Sequence, residues 1–429
     1  MNNITITILL INVVLIFVLP RRYVLIPIII SGIILPMTER LYIADLDFTS
    51  IRLLLLCGWL RLIIKSEYRF IRKINNIDKI MLLYVFWAII SYTVLWQTMD
   101  AFIYKLGSAS YILGTYFLVR FYITDLDDID QIIKYLLLLA IFIAFFVAIE
   151  RITQQNYFSL FGGVSYTTMI REGKLRCFGP FSHPITLGSF GAFLFPLAFY
   201  MLWKEKGSKI LGLINLISIV IIVLSSSSSG PIFSLVASVI GLLMWYFRKH
   251  MRLIVWGIFL FIIGLEIVMK AHVWALINRI SFFSSSSHYH RFLIIDKLIE
   301  NFNEWWLIGT QSTKHWSEFI QLTDVSNNYA RIAVDGGILA LILFIMIITL
   351  CFRHIGKMIA FANDSIEHQK LFWIWGVAMF SYVVSFIGVS LWDQTIVIYY
   401  FIIATIASMK YNTLSNLQKK EQSTNALTF

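Results

Sequence analysis

The sequence predicts an all-α polytopic membrane protein of about 12–13 transmembrane helices. Two observations of composition and pattern carry that reading, and a third orients it. Of the 429 residues 59% are hydrophobic and only 14% charged, whereas ordinary globular chains run to ~45–50% and ~25%. Apolar stretches bounded by charges recur along the whole chain, most of them close to the roughly 20 residues that a helix needs to cross a bilayer. Lys and Arg gather in loops between those stretches, as they do on the cytoplasmic side of membrane proteins. A water-soluble globule is excluded, because it could not bury so much apolar surface.

The stretches fall near residues 3–20, 23–38, 48–64, 80–98, 103–121, 131–150, 180–203, 209–224, 231–247, 252–270, 331–352, 371–390 and 392–409. The second is the weakest, short and interrupted by Pro27, Gly32 and Pro36. The third carries Arg52 and Arg61 near its ends, where long side chains can reach the interface. The first is expected to be retained, since Arg21-Arg22 follow it and no basic segment precedes it. Basic loops then come at Arg21-Arg22, at Lys65, Arg69, Arg72 and Lys73, at Lys204, Lys206 and Lys209, at Arg248, Lys249 and Arg252, at Arg353 and Lys357, and in the tail with Lys410, Lys419 and Lys420.

A path that starts outside and ends with a cytoplasmic C-terminus puts every one of those loops inside. The excess of 35 Lys and Arg over 24 Asp and Glu, a net charge of +11, is thereby explained by membrane orientation, and no nucleic-acid partner is implied. The acidic run 122–130 is the exception to the pattern. The same path makes residues 151–179 and 271–330 the two long external segments of a single integral membrane domain, 1–429. Long ordered loops on a helical scaffold serve binding or catalysis, so function should face outward. Glu39, Asp45, Asp47, Asp100, Glu150, Glu266, Asp335 and Asp393 fall at outer ends of spans. Ion-coupled carriers place such groups near the midplane, which argues against a transporter. Cys57, Cys177 and Cys351 give no disulfide framework or CxxC spacing, and His288, His290 and His315 lack an HExxH-like ligand set, so no metal is expected.

The first external segment closes on Arg171-Glu172-Gly173-Lys174-Leu175-Arg176-Cys177-Phe178-Gly179-Pro180-Phe181-Ser182-His183-Pro184 and runs into an apolar helix. The Gly-Pro and His-Pro steps keep the chain non-helical up to that point. Free N–H groups and the positive dipole end at the helix entry, beside Arg176, suit an anion; contact with lipid headgroups is the plainer alternative for Arg171, Lys174 and Arg176. The second segment contains Ser284–Ser287, His288, Tyr289, His290 and Arg291, then Phe292 to Ile299 with the spacing of an amphipathic helix. Arg291 near a helix start works against the dipole, which favours an anion held there. Trp305, Trp306 and Trp316 are interface anchors or sugar-stacking rings. Asn327 and Asn328 either orient hydroxyls or cap the next helix.

In order and spacing these features resemble the bacterial O-antigen ligase/polymerase superfamily, which includes Wzy-type polysaccharide polymerases. The resemblance covers roughly residues 170–352: Leu175 to Gly188 is similar to that family's Arg, Gly-x-Phe and Pro helix entry, Ser227-Ser228-Ser229-Gly230-Pro231 to its Ser-rich entry, and Arg291 to the arginine before an external amphipathic helix. Leu307-Ile308-Gly309 resembles its glycine turn, and Asn327-Asn328-Tyr329 with Gly336-Gly337 the following helix entry.

The resemblance implies a GT-C-like glycosyltransferase architecture and inverting glycosyl transfer at the outer leaflet of the bacterial inner membrane. The donor is an undecaprenyl-diphosphate-linked oligosaccharide, with no cofactor, nucleotide sugar or metal, and a chain-length regulator is a possible partner. Arg176, Arg291 and Lys174 are expected at the diphosphate, and His183, Asn327, Asn328 and Tyr329 at the glycan. The general base stays open among Asp324, His290 and His315. Ser326 stands where the ligase pattern has a histidine, so a polymerase is expected ahead of an O-antigen ligase, with a lipid-linked oligosaccharide flippase as the alternative of another class.

Overall fold

The computed structural model is 77% helical with almost no sheet, an all-α membrane protein in outline. It describes residues 1–43, 46–67, 74–204, 208–279, 285–317 and 322–411. Asp45, Arg69, Arg72, Lys73, Lys206, Ser284, Lys419 and Lys420, and the side chain of His288, lie outside the described set.

In chain order the elements are α1 (Asn3–Val18), α2 (Leu25–Ile34), β1 (Arg40–Ile43), β2 (Leu46–Thr49), α3 (Ser50–Ile64), α4 (Asn76–Trp96), α5 (Met99–Tyr122), α6 (Leu126–Thr153), β3 (Met169–Arg171), β4 (Lys174–Arg176), α7 (Pro184–Trp203), α8 (Lys209–Ser225), α9 (Ser229–Leu243), α10 (Met251–Val268), α11 (Leu276–Arg279), α12 (Ser285–Glu300), α13 (Phe302–Trp305), α14 (Asn328–Phe361), α15 (Ile366–Ser385) and α16 (Gln394–Ser408). Each apolar stretch of the sequence holds one helix. Among the described residues five helical runs are long and apolar enough to cross a membrane: α4, α6, α7, α14 and the continuous run Ser229–Val268 that joins α9 to α10. The helices α1, α8 and α16 are apolar but shorter.

Inside a bilayer every backbone polar group needs a partner, and polar residues at the helix starts meet that need. Asn2 accepts from Thr5 N–H, Thr98 from Ala101 N–H and Ser208 from Leu211 N–H. The acidic run 122–130 is explained in the same way. Asp125 caps α6 and forms a capping box with Asp128, Asp128 pairs with Arg22 at 3.4 Å, and Asp130 pairs with Lys204. Its acids serve helix ends and ion pairs. Arg61 is fully buried, donates to Leu19 O at 2.6 Å and pairs with Glu67 at 2.8 Å, so it is held by the protein instead of reaching for the interface.

The centre of the bundle is α7, packed against α8, α9 and α15 and buried over most of its length; α4 packs on α14, and α5 on α16. By contrast α10 has no buried residue. The N-terminal amine donates to Arg40 O at 3.1 Å, and Asn2 Nδ2 donates to Leu160 O at 2.8 Å. The N-terminus, the β1–β2 hairpin and the 151–179 segment therefore meet at one end of the bundle. At the other end Arg120 pairs with buried Asp78 at 2.8 Å and donates to Ala407 O at 2.7 Å, and Lys204 pairs with Glu367 at 3.4 Å.

The segment 285–334 forms a core of its own, made by Leu293, Ile294, Trp305, Trp316, Leu322, Val325, Ala330, Ala333 and Val334. The apolar face of α12 packs there. Trp305 and Trp316 are buried within it, and Trp306 is exposed. Backbone interlocking ties this core to α14. Gly337 breaks the helix with φ +74° and ψ −174°, and the 306–310 turn enters the break: Thr310 N–H donates to Val334 O at 2.9 Å, and Ile338 N–H to Trp306 O at 2.8 Å.

Candidate functional site

A cleft of about 760 Å³ opens at the N-terminal end of the bundle. Its lining includes Tyr84, Tyr104 and Lys105 from α4 and α5, Arg171, His183, the 324–328 segment, Arg331 and Asp335 from α14, and residues 388–393 ahead of α16. Both long segments expected to face one side contribute to it.

Arg176 ends β4 and is buried, and a clamp of hydrogen bonds fixes the chain that follows it. Glu150, fully buried at the end of α6, accepts from Phe178 N–H at 3.1 Å and Gly179 N–H at 3.0 Å. Asn156 Nδ2 donates to Gly179 O at 2.7 Å, Gln394 Nε2 to Pro180 O at 2.8 Å, and Cys177 N–H to Ser225 O at 2.9 Å. The Arg176 guanidinium then donates through Nη2 to Ser228 Oγ at 2.6 Å, while its Nε is buried without a partner.

Arg291 arrives from α12, also buried, and donates through Nη1 to Ser229 Oγ at 3.4 Å. It lies on Gly388, where an added Cβ would stand 2.5 Å from its Nε. Two segments more than a hundred residues apart thus deliver their arginines to adjacent serines at the start of α9. Ser228 occupies the N-cap position of that helix without making a side-chain cap, so its first N–H groups add to the positive field. Among the described residues no carboxylate pairs with either guanidinium. Burial is the first cause that pulls both arginines below the usual arginine range.

Neither guanidinium lines the open cleft, but each lies against a residue that does: Arg291 against Gly388, and Arg176 near His183. His183 caps α7, its Nδ1 accepting Ile185 N–H at 3.2 Å. Burial, and then the charges of Arg176 and Arg171, push its pKa down to about 4. At neutral pH the ring is uncharged, and with Nδ1 accepting, its proton sits on Nε2. It offers a hydrogen-bond donor. It packs edge-on to Trp392, with ring centroids 5.7 Å apart.

Sequence reasoning placed Asp393 at the outer end of a span but gave it no role in a site. This carboxylate lines the cleft, is held by Ser182 N–H at 3.3 Å and by the Ser182 hydroxyl, and sits at φ +56°, ψ −147°. Such a backbone costs a non-glycine residue roughly 1–3 kcal/mol and is found where surroundings impose it. Burial is the main cause that raises its pKa. The available signal was Asp393-Gln394, two polar residues at the very start of the last apolar stretch.

The other expected residues divide between the cleft and structural contacts. Asp324 and Asn328 line the cleft; Asn328 Oδ1 accepts from Leu391 N–H at 2.9 Å, and its Nδ2 is buried without a partner. His290 is half-buried, and burial is the first cause that lowers its pKa, against the charge of Asp324. Lys174 is exposed on β4. Asn327 is an N-cap, accepting Ala330 N–H at 3.1 Å and donating to Ile387 O at 3.2 Å. Tyr329 donates to Val383 O at 2.9 Å and packs between Phe344 and Phe386. His315 is exposed and pairs with Glu304 at 2.8 Å, away from the cleft lining. Among the described residues no three His, Cys, Asp or Glu side chains are gathered as metal ligands. In comparison with known proteins, no family model and no curated protein matches the chain.

Proposed function

We propose that the protein is a membrane glycosyltransferase that polymerises oligosaccharide units carried on a polyprenyl diphosphate, with the cleft opening at the outer leaflet of a bacterial inner membrane. One observation carries the reading: Arg176 and Arg291 are buried at the adjacent Ser228 and Ser229, with no carboxylate among the described residues paired to either. Burying a cation without an opposite charge is costly, so such groups are retained where a ligand supplies the charge. Two guanidiniums, the start of α9 and the neutral His183 donor form a cluster of donors beside the cleft, of the kind that suits a diphosphate.

In the reaction an acceptor hydroxyl attacks the anomeric carbon, and the bond from that carbon to the diphosphate oxygen breaks. The electron pair leaves with polyprenyl diphosphate, where the arginines stabilise the growing charge. The hydroxyl proton passes to a carboxylate. Asp393 fits that role, because burial raises its pKa and so makes it a stronger base than a solvated carboxylate. Asn328, with its free buried amide nitrogen, orients the acceptor. Attack from the face opposite the leaving group inverts the centre.

The test incubates the purified protein with lipid-linked repeat units extracted from cells that lack this chain. A ladder of lipid-linked products without added nucleotide sugar is expected. Arg176→Lys and Arg291→Lys should each lower its rate by about 10²–10³ through loss of bidentate charge stabilisation. Single transfer to another acceptor would make the protein a ligase. Intact monomers, with export failing in cells that carry the arginine variants, would point to a flippase and overturn the proposal.

A further inference from the structure

We infer that the α4, α5 and α14 side of the cleft is a subsite for a sugar bearing a carboxylate, built from Lys105, Arg331 and the rings of Tyr92 and Tyr104. Calling that sugar part of the acceptor rests on the glycosyl-transfer reading; the binding chemistry does not. Lys105 Nζ lies 3.1 Å from Asp335 Oδ2, and Arg331 Nε lies 3.3 Å from Asp335 Oδ1. Two cations share this one carboxylate, which leaves one positive charge over at this wall of the cleft. A purely structural pairing at a helix end needs one cation per acid, since ionisable groups near a bilayer are kept paired. Arg331 keeps its side chain 47% exposed and lines the cleft.

An aromatic surface adjoins this charge. Lys105 Nζ stands 4.2 Å from the centroid of the Tyr92 ring, whose own centroid lies 5.8 Å from that of Tyr104. Tyr104 is exposed and lines the cleft beside Ser108. A flat ring, a hydroxyl and a surplus guanidinium suit a pyranose: the ring covers its apolar C–H face, and the planar fork meets a planar carboxylate through two parallel hydrogen bonds. A neutral sugar would make no use of that charge. Uronic-acid-type residues are therefore the class this surface takes.

The test measures binding to the full-length protein in lipid nanodiscs by calorimetry, with tetragalacturonic acid and its carboxyl-reduced, neutral counterpart as probes. The acid is expected to bind about tenfold more tightly than the neutral oligomer. Lys105→Met and Arg331→Gln, each of which leaves Asp335 one partner, should abolish that preference. Asp335→Asn, which frees both cations, should strengthen binding of the acid. Equal binding of the two probes would overturn the inference, as would a Lys105→Met protein of unchanged melting temperature that keeps the preference. A product ladder without acid preference refutes the subsite alone, and acid preference without a ladder refutes the transfer reading alone.

Discussion

At the scale of single residues, the site has groups whose folded environment works against them. Asp393 is the clearest. Its native pKa lies above that of the unfolded chain because burial disfavours the charged form. The native state therefore binds more protons than the unfolded state between the two values, and stability falls as pH rises through that window. Asn accepts the same hydrogen bonds from Ser182 without a charge. Asp393→Asn is expected to lower the transfer rate by about 10²–10⁴, while melting temperature at neutral pH stays level or rises. Melting curves against pH check this: the wild-type protein should lose stability as pH rises above the ordinary carboxylate range, and the variant should not. The rate of the wild-type enzyme should climb across the same raised pKa. A second residue test uses the close approach at Gly388. A methyl group there meets Nε of Arg291 at 2.5 Å, so Gly388→Ala should displace the guanidinium and cut transfer about tenfold or more, since small misplacements near reacting groups are costly. Unchanged turnover in a correctly folded variant would remove Arg291 from the site.

At the scale of elements, α14 and the 306–310 turn show what local patterns carry and what they do not. Leu307-Ile308-Gly309 reads as a turn and Gly336-Gly337 as a helix entry, each from glycine alone. That each glycine serves the other segment was not legible, because the reason is contact across about thirty residues of chain. A Cβ at Gly309 would lie 2.1 Å from Val334 O, and one at Gly337 would lie 2.4 Å from Leu307 O. Both also have positive φ, at +101° and +74°. Gly309→Ala and Gly337→Ala should each destabilise by more than the ~1–2 kcal/mol of a left-handed backbone, because the clash is with main chain. Thermal unfolding of both single variants and the double variant checks the coupling: the double should cost less than the sum, since either substitution already opens the interlock. Helix starts rest on more local chemistry than this, although among Asn75, Asp125 and Asn327 only the last was read as a candidate cap. The side chains of Asn75, Asp125 and Asn327 act on their own next turn, and local chemistry is what a sequence prints. The same fact settles Asn327 as a cap and leaves Asn328 to the cleft, a division that spacing could not make.

At the scale of the whole molecule, hydropathy gave the helices in order, because burial in lipid constrains every residue of a span and not just a few contacts. That Arg176 and Arg291 meet at one place was expected only through a resemblance, and their serine partners were not foreseen; the cleft's other wall, with Lys105 and Asp335, was not expected as part of a site, since α5 and α14 come together there only through their shared packing on α4. The charges at the two ends of the bundle predict an orientation. The end away from the cleft carries Lys65, Arg248, Lys249, Arg353 and Lys357 at or near helix ends; such clusters collect on the cytoplasmic side of membrane proteins, so that end is expected to face the cytoplasm. Ile170 on β3 is exposed at the cleft end, and Asn363, between α14 and α15, is exposed at the other. Cys177 and Cys351 are buried and Cys57 is partly buried, so a Cys57→Ser background should be silent to a membrane-impermeant maleimide. In that background Ile170→Cys is expected to label in spheroplasts, and Asn363→Cys only after the membrane is opened. The reverse pattern would turn the cleft toward the cytoplasm and exclude any donor presented at the outer leaflet.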